Sequence, residues 1–233
     1  SMGLAELAPF DLNKKVIEYA IAGKDLLVNL KVDAFCDLLS TDAPAPGGGS
    51  VAALCSALSG ALSAMVANLT IGKKGYEKVT QEAMKLAPTG QDIKQKSLEI
   101  IDKDTDAFFA LMEAMRLPKK TEAEINFRKA QIEKCTQEAI NAPLTTMRLA
   151  VSAADLALKI AKIGNTNALS DAGVAALTAF CASQSAYYNI LINIPGITDE
   201  NFKQKTLAEA KELWEQCKKI TDNIEKDVLE KLL

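Results

Sequence analysis

Histidine is absent from this 233-residue sequence, and that absence narrows the chemistry more than any other feature of the composition. Without an imidazole the chain lacks the commonest general base and the commonest zinc ligand of proteins. Every Ser-His or Cys-His nucleophilic arrangement is excluded as well. Any proton transfer must therefore be carried out by Asp, Glu, Lys, Tyr, Cys or bound water.

Cysteines are few, and none of them is spaced from another as metal ligands are. Their number is odd and most lie among apolar residues, so we expect reduced thiols, a cytoplasmic location and no metal site. Nothing at the N-terminus resembles a signal peptide. The five are Cys36, Cys55, Cys135, Cys181 and Cys217.

Aromatic residues make up 5% of the chain and the net charge is −3, which favours neither nucleic acid nor an acidic membrane as a partner. With 48% hydrophobic and 24% charged residues, the chain is long enough to bury a substantial core. No stretch alternates polar and apolar residues with a period of two. We predict an all-α, single-domain antiparallel helix bundle over residues 31–233, preceded by a leader with a short docking helix over residues 1–30.

A glycine-rich bend, Ala43-Pro44-Ala45-Pro46-Gly47-Gly48-Gly49-Ser50, precedes the most apolar part of the chain. Ser50 is predicted to cap a helix from Val51 to Gly72. The N-terminus of a helix offers unpaired N–H groups and a positive dipole end, which suit a carboxylate, a phosphate or a developing oxyanion. A flexible loop with an ordinary cap explains the same residues, so the bend alone does not establish a site.

The predicted helix after the bend carries no charged residue, so we expect it to be buried on all sides at the centre of the bundle. Its serines, Asn68 and Thr70 make it too polar for a confident membrane span. Small residues recur along one face and would let a partner helix approach closely. That partner is either a neighbour in the chain or a second copy. The small residues are Ala53, Ala57, Gly60, Ala64 and Ala67.

Capping and helix-breaking residues predict the remaining helices. The predicted elements are a short helix over 31–39, a break at Pro88-Thr89-Gly90 followed by a helix over 91–115, a helix opened by the Thr121/Glu124 capping box and ending near Ile140, a helix capped by Asn141 and ended by Gly164, a helix from Ser170-Asp171 to Ile194, and a last helix started by Thr198.

Three aspartates at steps of two, Asp102, Asp104 and Asp106, lie on the helix predicted over 91–115. Asp104 points away from the other two and shares its face with apolar residues such as Ile101 and Leu111. Partial burial would raise its pKa toward the range where a carboxyl can both accept and give a proton. The alternative is that all three are solvent-facing charges.

Two further groups of polar residues are candidates for binding. Lys73, Lys74 and Lys119 lie at loops between helices, where solvated helix ends are the alternative reading. Asn189 and Asn193 interrupt an apolar run, and a buried amide needs a partner or a ligand. Both amides are equally compatible with satisfied core groups.

Six stretches combine into a more specific pattern. They are Pro44 to Ala53, Gly72-Lys73-Lys74, Asp102 to Phe108 running into Glu113 to Lys119, Gly164-Asn165 with Ser170-Asp171, Tyr188 to Asn193, and Ile197-Thr198-Asp199. Together they resemble the cyclodeaminase domain of formimidoyltransferase-cyclodeaminase and the related methenyltetrahydrofolate cyclohydrolases. The resemblance extends over nearly the whole chain from Val32 onward.

The resemblance implies an all-helical homodimer that acts on a polyglutamylated folate without a metal or nucleotide cofactor. It implies a catalytic role for Asp104. The substrate-binding candidates are Pro46, Gly47, Gly48, Gly49, Ser50, Lys73, Lys74, Lys119, Asn165, Asp171, Asn189 and Asn193.

The expected activity is that of formimidoyltetrahydrofolate cyclodeaminase, an ammonia-lyase of histidine degradation, with a glutamate formimidoyltransferase as a partner. The leader residues 8–19 resemble the segment that joins the two parts of the bifunctional enzyme, which favours cyclodeaminase. The alternatives are methenyltetrahydrofolate cyclohydrolase and a non-catalytic helical oligomerisation module.

Overall fold

The computed structural model describes residues 26–233, and this part of the chain contains α-helices and short 3-10 turns but no β-strand. The prediction of an all-α fold is confirmed. The helices are α1 (Val32–Leu39), α2 (Gly48–Asn68), α3 (Thr80–Arg116), α4 (Glu122–Ile163), α5 (Leu169–Asn193) and α6 (Glu200–Leu232). The docking helix predicted in the leader lies outside the described residues, and the division into leader and bundle stays a prediction.

The glycine-rich bend leads directly into α2, but the cap differs from the prediction. Gly47 is the N-cap, and Ser50 is the third residue of the helix. Ser50 does not cap the helix because it already lies inside the first turn, and its hydroxyl donates to Asp104 on α3. At the other end α2 stops at Asn68, and Gly72 follows with a φ of +69°, a left-handed conformation that suits glycine.

The break predicted at Pro88-Thr89-Gly90 is wrong, because α3 runs through all three residues. A proline inside a helix removes one hydrogen bond, and here the packing of α2 against α3 outweighs that loss. A Cβ atom on Gly90 would lie 2.6 Å from the carbonyl oxygen of Gly60, and one on Gly60 would lie 2.8 Å from that of Gly90. The small residues of α2 therefore serve a close crossing within the chain.

The capping box predicted at Thr121 and Glu124 is confirmed, and it opens α4. The end predicted near Ile140 is wrong, as is the cap at Asn141, because the helix continues through Pro143 to Ile163. Pro143 is buried in the core, where its neighbours hold the helix in place across the missing hydrogen bond. Gly164 follows the last helical residue, as predicted.

The last two helices begin close to the predicted positions. Helix α5 begins at Leu169, one residue before Ser170, whose side chain does not cap it. Asp199 caps α6 by accepting hydrogen bonds from the backbone of Asn201 and Phe202, so the cap predicted at Thr198 is wrong. Thr198 instead donates its hydroxyl and its backbone N–H to Glu133 on α4.

Helix α2 packs on α3 and α5 with α4 behind it, and α6 completes the bundle against α4 and α5. By length and composition α2 is apolar enough to cross a membrane, but 61% of its most apolar stretch is buried inside the protein, as in a core helix. One chain by itself does not bury α2 on all sides. Among the described residues nothing covers its outer face, where Leu58 is 47% and Leu69 48% exposed.

Candidate functional site

The carboxyl group of Asp104 lies on the first turn of α2. The hydroxyl of Ser50 donates to Oδ2 of Asp104 at 3.1 Å. Gly49 lies directly beneath the carboxyl group, since a Cβ atom there would overlap all three of its atoms. Only glycine at this position lets the acid approach the backbone so closely. Asp104 and the glycine bend therefore lie together within a single chain.

Burial raises the pKa of the Asp104 carboxyl above its ordinary value. Hydrogen bonds from the hydroxyl and the backbone N–H of Ser50 act in the opposite direction, because they stabilise the carboxylate, and they offset only part of the effect. The positive end of the α2 dipole also favours the ionised form. Asp104 is thus a half-buried acid whose ionised state is supported by specific donors, which is a suitable arrangement for proton transfer.

The hydroxyl of Thr105 lies beside that of Ser50, and Thr105 is not among the site residues predicted from the sequence. Its Oγ1 lies 3.4 Å from Oγ of Ser50 and within 3.4 Å of the carbonyl of Ile101. Its position beside Asp104 in the sequence was the available signal. A side chain one residue farther along a helix points about 100° away, so sequence adjacency did not imply adjacency in the site.

The two asparagines of α5 lie at the same end of the bundle. A Cβ atom on Gly48 would lie 3.3 Å from Nδ2 of Asn189, so this amide borders the glycine bend. Asn189 donates to the carbonyl of Ser185, and Asn193 donates to that of Asn189, each at 2.8 Å. Both side chains are half-buried. We call this end, with Gly48, Gly49, Ser50 and Asp104, the carboxyl end.

A second group of candidate residues lies at the opposite end of α2, which we call the lysine end. Nζ of Lys73 donates to Oδ1 of Asn165 at 2.7 Å and lies 5.8 Å from the ring centre of Tyr76. The backbone N–H of Asn165 donates to Thr70. Lys74, which is exposed, adjoins this group, and Asp171 is in the first turn of α5.

The 21-residue helix α2 separates the two ends by about 30 Å. The expectation that Lys73, Lys74, Asn165 and Asp171 share a site with Asp104 therefore does not hold within one chain. Lys119 is also remote: it follows the end of α3 at Arg116, which is about 18 Å along the helix axis from Asp104.

The other aspartates of α3 have different roles from Asp104. The backbone N–H of Leu27 donates to Oδ1 of Asp102 at 2.6 Å, so Asp102 holds the 3-10 turn Leu27–Asn29 against α3. Asp106 lines a groove between α3 and α4. Pro46, a predicted binding residue, is buried beneath the bend after a cis Ala45–Pro46 peptide bond, whereas Gly47 is half-buried and Gly48 exposed.

Within residues 26–233, no three His, Cys, Asp or Glu side chains form a group suited to a metal ion. What the carboxyl end offers is one acid with a raised pKa, two hydroxyls, two amides and the N–H groups of a helix N-terminus. Such a set can move a proton and can hold an oxygen or nitrogen on which charge develops.

Comparison with known proteins places these residues in a wider context. Residues 31–212 match the family model described as formiminotransferase-cyclodeaminase. A methenyltetrahydrofolate cyclohydrolase of Methylorubrum extorquens is 36% identical over 204 residues, which cover 88% of this chain and 98% of that relative. A formimidoyltransferase-cyclodeaminase of Gallus gallus is 35% identical over 223 residues, which cover 93% of this chain but 41% of that longer relative.

A solved structure shares the fold. The crystal structure of a formiminotetrahydrofolate cyclodeaminase from Thermotoga maritima superposes with a TM-score of 0.79 at 30% identity, covering 88% of this chain and 98% of that one. The similarity therefore extends over most of the described bundle, including both the carboxyl end and the lysine end.

Proposed function

The chain belongs to the formiminotransferase-cyclodeaminase family, and from that premise we propose that it converts 5-formimidoyltetrahydrofolate to 5,10-methenyltetrahydrofolate and ammonia. The observation that carries the proposal is the half-buried Asp104 carboxyl, held over Gly49 by the Ser50 hydroxyl at the N-terminus of α2. In a chain without histidine, this is the group best suited to proton transfer among the predicted site residues.

The reaction needs two proton movements at neighbouring nitrogens. N10 of the folate attacks the formimidoyl carbon on N5 and forms a tetrahedral centre, from which ammonia leaves. One carboxyl can accept the proton from N10 and deliver a proton to the departing nitrogen, provided that its pKa lies between those of an ordinary acid and neutrality. The raised pKa of Asp104 is in the required direction.

The glycine bend has two uses in this proposal. The exposed Gly48 leaves the backbone open, so that a flat pterin can lie against it, and the N–H groups at the start of α2 can bind a polar atom of the ring. The amides of Asn189 and Asn193 supply further polar contacts beside the bend. Lys73, Lys74 and Lys119 remain candidates for the carboxylates of the glutamate tail.

A second candidate is methenyltetrahydrofolate cyclohydrolase, in which water attacks the methenyl carbon. The specific observation in its favour is the Methylorubrum extorquens relative, which this chain matches over 98% of its length. The same carboxyl would then take a proton from the attacking water.

We further propose that the protein is a homodimer in the cytoplasm and acts in histidine degradation. A glutamate formimidoyltransferase would supply its substrate. This chain spans 41% of the length of the bifunctional relatives.

The deciding assay measures both products from purified protein. Release of ammonia from 5-formimidoyltetrahydrofolate supports cyclodeaminase, and formation of 10-formyltetrahydrofolate from the methenyl compound supports cyclohydrolase. A non-catalytic helical module would show neither reaction and no rise in melting temperature when a reduced folate is added. That combination of results would refute the proposal.

The role of Asp104 is tested by Asp104→Asn, with Asp106→Asn as the matched control on another face of α3. We expect Asp104→Asn to lose about 10²- to 10⁴-fold in kcat, because general acid–base catalysis contributes about that much. The control should remain within about three-fold of the wild type. Equal rates for the two variants, with circular dichroism unchanged, would remove Asp104 from the mechanism.

A further inference from the structure

Two hydroxyl groups connect the carboxyl group of Asp104 to the backbone of its own helix. Oγ of Ser50 lies 3.1 Å from Oδ2 of Asp104, and Oγ1 of Thr105 lies 3.4 Å from Oγ of Ser50. Oγ1 of Thr105 also lies 3.4 Å from the carbonyl oxygen of Ile101, about one turn earlier on α3. We call this series of groups, from Asp104 through Ser50 and Thr105 to the carbonyl of Ile101, the hydroxyl chain.

The two ends of the hydroxyl chain differ in what they can donate. The carbonyl of Ile101 can only accept a hydrogen bond, whereas each hydroxyl donates one bond and accepts others. The carboxyl group of Asp104 only accepts when it is ionised, but it also donates when it is protonated. The direction of the hydrogen bonds along the chain therefore depends on the protonation state of Asp104.

The ionised state of Asp104 is supported by Ser50 alone. The Ser50 hydroxyl donates to Oδ2, and the Ser50 backbone N–H also donates to the carboxylate. The hydroxyl of Thr105 then has two acceptors at the same distance of 3.4 Å, Oγ of Ser50 and the carbonyl of Ile101. The carboxylate thus keeps its Ser50 donors whether or not residue 105 has a hydroxyl.

The neutral state of Asp104 depends on Thr105. When Oδ2 is protonated, it donates to Oγ of Ser50, so the Ser50 hydroxyl must donate to another group. Ser50 is 0% exposed, and solvent does not reach it. Oγ1 of Thr105 lies within reach as an acceptor, and Thr105 can donate in turn to the carbonyl of Ile101. Without that acceptor the Ser50 hydroxyl would be a buried donor with no partner, which disfavours the neutral acid.

The proposed reaction uses both protonation states. The carboxyl group accepts a proton from N10 and later gives a proton to the departing nitrogen, so it is neutral between the two transfers. The hydroxyl chain accommodates this change by rotation of the Ser50 and Thr105 hydroxyls about their C–O bonds. Each hydroxyl keeps one proton throughout, and the proton that Asp104 has accepted stays on its carboxyl group until the leaving nitrogen takes it.

We infer that Thr105 is a positioning residue: through Ser50 it supplies the acceptor that lets Asp104 hold a proton during turnover, and it leaves the ionised state unchanged. The place of Thr105 in the reaction rests on the proposed function. The hydroxyl chain itself is a property of the folded protein without substrate, so the two parts are tested separately.

Charged side chains around Asp104 face other groups. Asp102 on the same helix accepts from the backbone of the 3-10 turn Leu27–Asn29. Helix α2 contains no charged residue, and the single one of α5, Asp171, lies at the lysine end. The charged residues that line the groove between α3 and α4 are Lys103, Asp106 and Glu138. A substitution at Thr105 changes none of these charges, so we expect its effect on Asp104 to act through Ser50.

The test separates the hydroxyl of Thr105 from its shape. Thr105→Val keeps the shape of the side chain and removes the hydroxyl, whereas Thr105→Ser keeps the hydroxyl and removes a methyl group. The protonation of Asp104 is followed by carbon-13 NMR of protein labelled at its aspartate carboxyl groups, without substrate. The resonance of Asp104 is the one that is missing in Asp104→Asn. Circular dichroism verifies folding, and Thr105→Ala is a second variant without the hydroxyl.

The two partners of the chain should shift the titration in opposite directions. We expect Thr105→Val to lower the pKa of Asp104, because the protonated acid then leaves the Ser50 hydroxyl without an acceptor. Ser50→Ala should raise that pKa, because it removes a donor to the carboxylate. Thr105→Ser should titrate as the wild type does. Adding Thr105→Val to Ser50→Ala should have no further effect, since the link from residue 105 to Asp104 is already gone.

Turnover provides the second measurement. We expect kcat of Thr105→Val to fall about 10-fold with little change in KM, because leaving a buried donor unsatisfied in the neutral state disfavours that state by about this factor. Thr105→Ser should keep kcat within about three-fold of the wild type. A residue that only fills space would give the opposite pattern, with Thr105→Val normal and Thr105→Ser impaired, and that pattern would overturn the inference.

The titration also distinguishes this inference from the proposed function. An unchanged or raised pKa of Asp104 in Thr105→Val would overturn the inference, because the neutral acid would then carry its proton on Oδ1 or Ser50 would have another acceptor. The proposed function would remain intact in that case. A lowered pKa in a protein whose wild type turns over neither folate substrate would support the hydroxyl chain and refute the proposed function, and with it the role of Thr105 in turnover.

Discussion

Replacing Gly49 by alanine is the most direct test of the geometry at the carboxyl end. The added Cβ atom would lie 2.5 Å from Cγ and Oδ2 of Asp104, where ordinary contact requires about 3.4 Å or more, so the carboxyl group must move by about 1 Å. A displacement of that size in a catalytic group costs about 10²-fold in rate, or about 2.7 kcal/mol of transition-state stabilisation. We therefore expect kcat to fall by about two orders of magnitude in Gly49→Ala.

We expect Gly49→Ala to lose activity but to remain folded. Overpacking costs about 1–3 kcal/mol, and the greater helix propensity of alanine returns up to about 1 kcal/mol, so the protein should remain folded. Gly48→Ala should have a smaller effect, because its Cβ atom would meet only the Asn189 amide at 3.3 Å. Gly173→Ala, whose Cβ atom would meet Val228 at 3.3 Å, is the control for the same substitution in a helix away from the carboxyl end.

The assay is steady-state turnover of both candidate substrates, with urea denaturation of the same samples. The reasoning requires that Gly49→Ala lose at least ten times more activity than Gly173→Ala at comparable stability. Turnover of Gly49→Ala within about three-fold of the control would refute it, because the position of the Asp104 carboxyl above Gly49 would then be irrelevant to the reaction.

Three further variants probe the same structure. The folded protein raises the pKa of Asp104, so ionising this carboxyl destabilises the fold. The free energy of unfolding of the wild type should therefore fall relative to that of Asp104→Asn as the pH rises from the ordinary carboxyl range through the raised pKa. A difference in unfolding free energy between the two proteins that stays constant with pH in urea denaturation would contradict this. Ser50→Ala removes a bond that lowers the pKa of Asp104, so the acidic limb of kcat/KM against pH should move to higher pH, and an unchanged profile would argue against it. Gly90→Ala should destabilise the protein by about 1–3 kcal/mol in urea, because its Cβ atom would meet the Gly60 carbonyl, whereas helix propensity alone predicts about 1 kcal/mol of stabilisation.

Local patterns in the sequence were sufficient for much of the bundle. The capping box at Thr121 and Glu124 uses only neighbouring residues, and it was predictable for that reason. The face of Asp104 followed from helical geometry and from the apolar residues around it, of which Ile100 and Ile101 are buried. The absence of histidine restricted the candidates for proton transfer before any coordinate was known.

The errors share one physical cause, which is that tertiary contacts override local preferences. A break is predicted at Pro88 and a new helix is predicted to start at Asn141, just before Pro143, but α3 and α4 continue through these prolines because packing compensates for one lost hydrogen bond each. Ser50 is predicted to cap α2, but the extended backbone of the bend ends at Gly47, so Ser50 lies inside the helix and donates its hydroxyl to Asp104, 54 residues away in the sequence. Neither the Gly60–Gly90 crossing nor the Asp104–Gly49 approach has a local signature.

From its amino acids alone this chain was committed to an all-helical bundle and to acid–base chemistry without an imidazole, because helix periodicity and composition are properties of the residues themselves. Only the folded chain decided which side chains meet, because the pairing of distant helices depends on packing across the core. Because of that pairing, Asp104 contacts Gly49 and Ser50, and Lys73 and Asn165 lie at the opposite end of α2. The exposed apolar side chains of α2 and α5 are left uncovered by the described residues.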